Sequence, residues 1–172
     1  MRQTAAGLGL VLLTLACGTA AAQGGGGMDG HRLSLTGLTS VRVVIERAEG
    51  LGELGAAPAS ELLAAVRAAL KGSGLEIVDD PDGTLTPPGF PTVHVAARAE
   101  PLRAGGAGLL YNLNFNLTQQ ASLVRRAGIM VNAITWHTGK SGRTADAKGV
   151  VDALTKCADE LVADYRAVNA KK

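Results

Sequence analysis

The 172-residue sequence predicts an α/β (α+β) fold: a two-layer sandwich with a mixed sheet of about five strands and two helices on one face. Two kinds of periodicity carry this expectation. From Tyr111 to Thr118, the residues Tyr111, Leu113, Phe115 and Leu117 alternate with Asn112, Asn114, Asn116 and Thr118. A half-buried antiparallel strand needs that period of two, and a helix cannot use it. Helical spacing appears twice, at Ala59, Leu62, Leu63, Val66 and Leu70, and again at Val150, Val151, Leu154, Ala158, Leu161, Val162, Tyr165 and Val168. Each set makes one apolar stripe along a helix.

The elements follow in order. Val41 to Glu46 is short and β-branched, and its partly continuous apolar run suits a central first strand. A Gly-containing loop covers 48–57. Pro58 suits a first helical position, Glu61 the positive end of the dipole, and Gly72 stops the helix after Lys71. Leu75 to Val78 reads as a second strand, and Asp79-Asp80-Pro81-Asp82-Gly83 turns the chain. Strand, helix and strand at this length imply a right-handed parallel crossover. The loop 84–91 carries Pro87, Pro88 and Pro91, which bar it from a central strand. Thr92 to Glu100 is a third strand ended by Pro101, and Arg103 to Gly108 is a Gly-rich turn. Two long runs between Leu109 and Thr138 form a hairpin about Arg125-Arg126-Ala127-Gly128, with 139–144 closing them off. Asp146 is a fitting N-cap for the last helix, which would run ~35 Å, enough to cross a sheet diagonally.

The chain is 47% hydrophobic but has only five aromatic residues, so Ala, Val and Leu must fill the core. Net charge is +2. Arg125-Arg126 and Lys171-Lys172 are too short to make the cationic footprint of a nucleic-acid binder. No nucleic acid is expected as a partner.

The amino terminus reads as an export signal over 1–22. Arg2 supplies the positive start, Leu8 to Ala16 the apolar centre, and Ala20-Ala21-Ala22 a cleavage site before Gln23. Leu13-Thr14-Leu15-Ala16-Cys17 offers the other reading, a relaxed lipobox with Cys17 as the lipidated residue, although Thr14 stands where Leu is usual. Residues 23–32, with Gly24 to Gly27 in a row, form a flexible leader in either case, and 33–172 is a single domain. No later apolar run approaches the ~20 residues of a membrane span. The protein is therefore expected in the periplasm or outside the cell, and on the outer membrane if Cys17 carries lipid. After cleavage at Ala22, Cys157 is alone, and it reads as a small hydrophobe beside the apolar face of its helix.

No motif for chemistry emerges. His31, His94 and His137 are far apart in sequence and lack the neighbours of a metal site. Gly139-Lys140-Ser141-Gly142 lacks the upstream Gly of a phosphate loop and reads as a turn. No Ser sits in a nucleophile elbow, and Asp79, Asp80 and Asp82 resemble a calcium loop only in being acidic. Neither cofactor nor metal is expected, and no catalytic residue is assigned. What remains is the amide strip Asn112, Asn114 and Asn116, together with Trp136 and His137. A flat, uncharged, amide-rich face with a Trp nearby suits a polar interface, while the plainer and favoured reading has the three Asn as solvated outward residues and Trp136 in core or sheet-edge packing.

The segments Trp136-His137-Thr138-Gly139 and Asp164-Tyr165-Arg166-Ala167-Val168-Asn169 give the chain a resemblance to uncharacterised secreted bacterial domains. By order of elements over Leu33 to Asn169 it also resembles the envelope modules of the TolB amino-terminal, curli-secretion CsgG and penicillin-binding-protein activator group. The resemblance implies a non-enzymatic accessory or adaptor role, with an envelope protein as partner. The alternative from the residues themselves is a periplasmic small-ligand or glycan binder using the sheet face near Trp136.

Overall fold

The computed structural model describes residues 28–51, 59–80, 82–102 and 107–170. The signal, the Ala22 cleavage site, Cys17, the glycines 24–27, Pro58 and the Lys171-Lys172 pair lie outside the described residues. The elements are α1 (Met28–Leu33), β1 (Ser40–Glu49), α2 (Ala59–Lys71), β2 (Glu76–Val78), β3 (Thr92–Pro101), β4 (Leu109–Ser122), β5 (Met130–Thr144) and α3 (Ala147–Asn169). The strands join in one sheet in the order β2-β1-β3-β4-β5. β1 runs parallel to both β2 and β3, and β3, β4 and β5 form an antiparallel meander.

Alternation decides which side of the sheet is covered. Val41, Val43, Val93, Val95, Leu113, Phe115 and Leu117 are buried together with Leu62, Val66 and Leu70 of α2 and Val150, Leu154 and Leu161 of α3. Both long helices thus lie on one face, and the apolar stripes end up where their periodicity directs them. Small residues fill much of the space, with Ala97, Ala99, Ala153 and Ala158 all buried. The Asp146 carboxylate caps α3 by accepting from Gly149 N at 3.0 Å.

Three features depart from the sequence-based expectation. First, α1 occupies part of the segment expected as a leader. Its last turn leads into Leu35, which is fully buried, and Asn169 of α3 ties the same loop down: its Nδ2 donates to Leu35 O at 2.9 Å and its Oδ1 accepts from Gly37 N at 2.8 Å. Second, β5 continues through 139–144, which glycine content alone marks as a closing loop. Those glycines serve the strand: a Cβ on Gly139 would come within 2.8 Å of Leu113 O, and one on Gly142 within 3.0 Å of the Tyr111 hydroxyl. Third, Trp136 leaves the candidate interaction surface and takes the plainer of its two readings, pointing into the core. It retains 3% exposure, its ring meets Phe115 edge-on at 6.1 Å, and its Nε1 donates to Asp164 Oδ2 at 3.0 Å.

Cys157 is fully buried in α3. Burial drives its thiol up to about 11, Lys140 opposing the shift and Glu160 adding to it. At neutral pH the thiolate is therefore scarce. Alkylation mapped to the Cys157 peptide should be slow in native protein and rapid in denaturant; equal rates would show an accessible thiol. Phe115→Ala removes the largest fully buried side chain of the sheet and should cost about 3–5 kcal/mol in urea unfolding. A loss below about 1 kcal/mol would mean that the space beneath Trp136 collapses freely.

Candidate functional site

The face of the sheet opposite the helices carries no other element along most of its length among the described residues. Its composition follows from cross-strand register, because directly paired residues share a face. Val44, His94, Asn116 and His137 form one row, and Arg47, Ala96, Asn114 and Gly139 the next. Glu49, Arg98, Asn112 and Ser141 form the third. Asn112, Asn114, His137, Gly139 and Ser141 are exposed, and Asn116 is half-buried.

The amide strip therefore points to solvent. Its polar groups are largely uncommitted: the one side-chain bond within it runs from Asn114 Nδ2 to Asn112 Oδ1 at 3.3 Å. The face is not uniformly uncharged, as the sequence had implied. On the β1 and β3 side, Arg98 Nη2 lies 2.5 Å from Glu100, Arg98 Nε 4.0 Å from Glu49, and Arg47 3.9 Å from Glu49. These ions pair with one another, whereas the β4–β5 half is an amide and hydroxyl surface from His137 to Ser141, bordered by exposed Leu110 and Arg143 in the next row.

Trp136 does not belong to this surface. Towards the hairpin turn the ladder runs from Thr118↔Ile134 to Ser122↔Met130, but in the other direction Leu117 pairs with Trp136, leaving Thr135 as a bulge. The bulge turns Trp136 to the helices and His137 to the open face. His137 lies at the β5 edge, its ring 4.6 Å from that of His31 in α1. The predicted set is thus brought together except for Trp136.

Sequence reasoning missed a pocket of about 500 Å³ at the other end of the same face. Arg42, Thr92, His94 and Thr118 floor it, and the Pro-rich loop with Thr86, Pro88 and Phe90 walls it. The loop is held by Asp80, which reads in the sequence only as part of an acidic turn. Asp80 is buried, and its carboxylate accepts from Thr84 N (3.0 Å), Leu85 N (3.2 Å), Thr86 N (2.9 Å) and the Thr86 hydroxyl (2.7 Å). Arg42 Nη1 donates to Thr86 Oγ1 at 3.0 Å and lies 3.7 Å from Asp80. His94 Nε2 bonds Thr118 Oγ1 at 2.8 Å, and its Nδ1 lies 2.7 Å from Glu46 without an aligned hydrogen bond. The one legible signal was an Asp followed by Thr at four and six residues, the pattern of a side chain bonding its own downstream backbone.

Among the described residues no three His, Cys, Asp or Glu side chains gather in a way that could hold a metal ion. No described helix is long and apolar enough to cross a membrane.

No protein-family model matches the chain, and no curated protein matches it. Among solved structures it is similar to a minor lipoprotein from Acinetobacter baumannii at 10% identity and a TM-score of 0.33, over 76% of this chain and 93% of that one. It is also similar to a PelC dodecamer from Paraburkholderia phytofirmans at 12% identity and a TM-score of 0.41, over 74% and 87% of the two chains.

Burial by itself would raise the Asp80 carboxyl, but the Thr86 hydroxyl and the N–H groups of Leu85, Thr86 and Thr84 outweigh it and hold the group below its ordinary value. A carboxyl lowered by folding contributes stability above its unfolded value of about 3.9, and that contribution is lost as pH falls through the folded value. In an NMR pH titration the Thr84 to Thr86 amides should inflect below the ordinary carboxylate range, and Asp80→Asn should abolish the inflection. An inflection at or above the ordinary value would show that the loop does not hold this carboxylate.

Proposed function

We propose that this chain is a non-enzymatic, exported envelope accessory domain that binds another envelope protein through the β4–β5 half of its open sheet face. The single supporting observation is the outward row of Asn112, Asn114 and Asn116 beside Gly139 and Ser141, an amide and hydroxyl strip bordered by Arg143, with spare hydrogen-bonding capacity and no covering element among the described residues. Such a surface is wet and weakly self-associating alone, yet each amide offers donors and an acceptor to an opposed chain. The glycine at 139 lowers the profile of the strip and lets a partner approach the backbone. Export rests on the signal-like amino terminus, and outer-membrane attachment on Cys17.

The second reading, a small-ligand or glycan binder, shifts from the neighbourhood of Trp136 to the pocket beneath the Pro-rich loop. That cavity favours it by combining hydroxyl and amide groups with Pro88 and Phe90, the mixture of polar handles and apolar wall that small-molecule sites use.

A photoreactive side chain at position 114 should form adducts with an envelope protein in living cells, while one at exposed Lys156 on α3 should not. Replacing Asn112 and Asn116 by Ala in the 114-labelled protein should remove the adducts with the circular dichroism unchanged. Absence of adducts at 114 overturns the adaptor reading. Saturable binding of a glycan or metabolite that perturbs His94 and Thr118 resonances would then favour the pocket.

A further inference from the structure

We propose that the tip of the β4–β5 hairpin is a docking site for an anionic lipid surface. β3 pairs with β4 only as far as Thr92↔Thr118, whereas β4 and β5 go on pairing to Ser122↔Met130, and Leu123 N donates to Ile129 O at 3.0 Å. A two-stranded ribbon thus projects about 13 Å past β3 before its turn. Its base is braced. On one side Gln119 Nε2 donates to Ser34 O at 3.1 Å, and on the other Gln120 packs so closely on Gly89 that a Cβ there would come within 3.0 Å. The ribbon is therefore presented at a fixed angle.

Its tip has the composition of an interfacial anchor. Val124 is fully exposed, and Ile129 and Met130 are 37% and 49% exposed. Arg125 and Arg126 stand between them in the turn, both exposed. No acidic residue occurs from Pro101 to Ala145, so nothing along either strand of the hairpin neutralises these cations. Apolar side chains are costly to leave in water in one place, and the mutual repulsion of two adjacent arginines adds to the cost.

A bilayer interface relieves both. It accepts a few apolar side chains at the level of the headgroups, and a negative surface gains from each nearby cation. A protein partner fits less well, since a specific interface removes about 800 Å² from each side, which a convex turn does not present. The tip lies further along the hairpin than the amide strip, so lipid contact does not depend on what that strip binds.

Val124→Trp in the full chain places a reporter at the tip against the constant emission of buried Trp136. With brominated phosphatidylglycerol vesicles its emission should shift to the blue and be quenched beyond the wild-type level. Adding Arg125→Gln and Arg126→Gln should lower the vesicle affinity of that reporter signal roughly 25-fold at low salt, from about fivefold for each arginine, and raising the salt should have a similar effect. A tip Trp unmoved by vesicles overturns the proposal, as does equal affinity for brominated neutral phosphatidylcholine vesicles or in the chain carrying Arg125→Gln and Arg126→Gln. A blue shift that instead follows protein concentration without lipid assigns the tip to a second copy of the chain and overturns it as well.

Discussion

A slip of β4 by one residue against its neighbours would turn Asn112, Asn114 and Asn116 into the core and Leu113, Phe115 and Leu117 into water. Each amide buried without a partner would cost about 1–3 kcal/mol, and each large apolar side chain exposed would forfeit about 1.5–3 kcal/mol. That double penalty fixes the register of the central antiparallel strand. β4 is flanked by β3 and β5 from Leu109 to Thr118, so its register sets theirs. The closed face and the open face are one constraint seen from two sides.

The remainder of the molecule secures that arrangement. The segments 136–139 and 164–169 meet in space. Trp136 Nε1 donates to Asp164, whose other carboxylate oxygen pairs with Arg32 at 2.7 Å. Thr138 donates to Glu160 Oε2 at 2.6 Å, while Lys140 lies 2.5 Å from Oε1 of the same carboxylate. That pairing raises the Lys140 ammonium; desolvation would raise Glu160, but its bonds to Lys140 and Thr138 hold it low instead. Asn169 reaches the loop after α1. The segments therefore lock α1, β5 and α3 together, and they are architectural. Their partial exposure keeps the ionic share small, a few tenths of a kcal/mol each, so the interlock gains more from orienting Trp136 than from charge.

Period-two and helical spacing made the sheet, both long helices and the outward amide strip legible, because each depends on local alternation. Burial of Trp136 was the plainer reading of the sequence, but the bulge that produces it was not legible, for a definite reason. An uninterrupted ladder from Thr118↔Ile134 would place Trp136 opposite Asn116, on the open face. The bulge at Thr135 reverses this, and groups distant in sequence hold it: Gln119 Nε2 donates to Thr135 Oγ1 at 2.7 Å, and the Ser34 hydroxyl, with one proton, lies between Thr135 O at 3.0 Å and His31 O at 2.6 Å. The same Ser34 explains why α1 is part of the domain. Asp80 escaped notice for a different reason. An acidic turn and a buried loop-holding carboxylate look alike until the downstream N–H groups fold back on it.

The hairpin places its two surfaces at different heights along one rigid axis. Asn114 stands eleven residues before Arg125, so the amide strip lies at most about 35 Å from the tip at strand rise. The Pro-rich loop and its pocket fall between them, against the braced base of the ribbon. With the tip in a headgroup layer, a partner on the strip would be held clear of the lipid and beside the pocket mouth. The β1 and β3 half of the face, with its ions already paired, would gain little from either contact, since desolvating a satisfied ion pair returns no net attraction. Both proposed contacts therefore fall on the one hairpin whose register the core fixes.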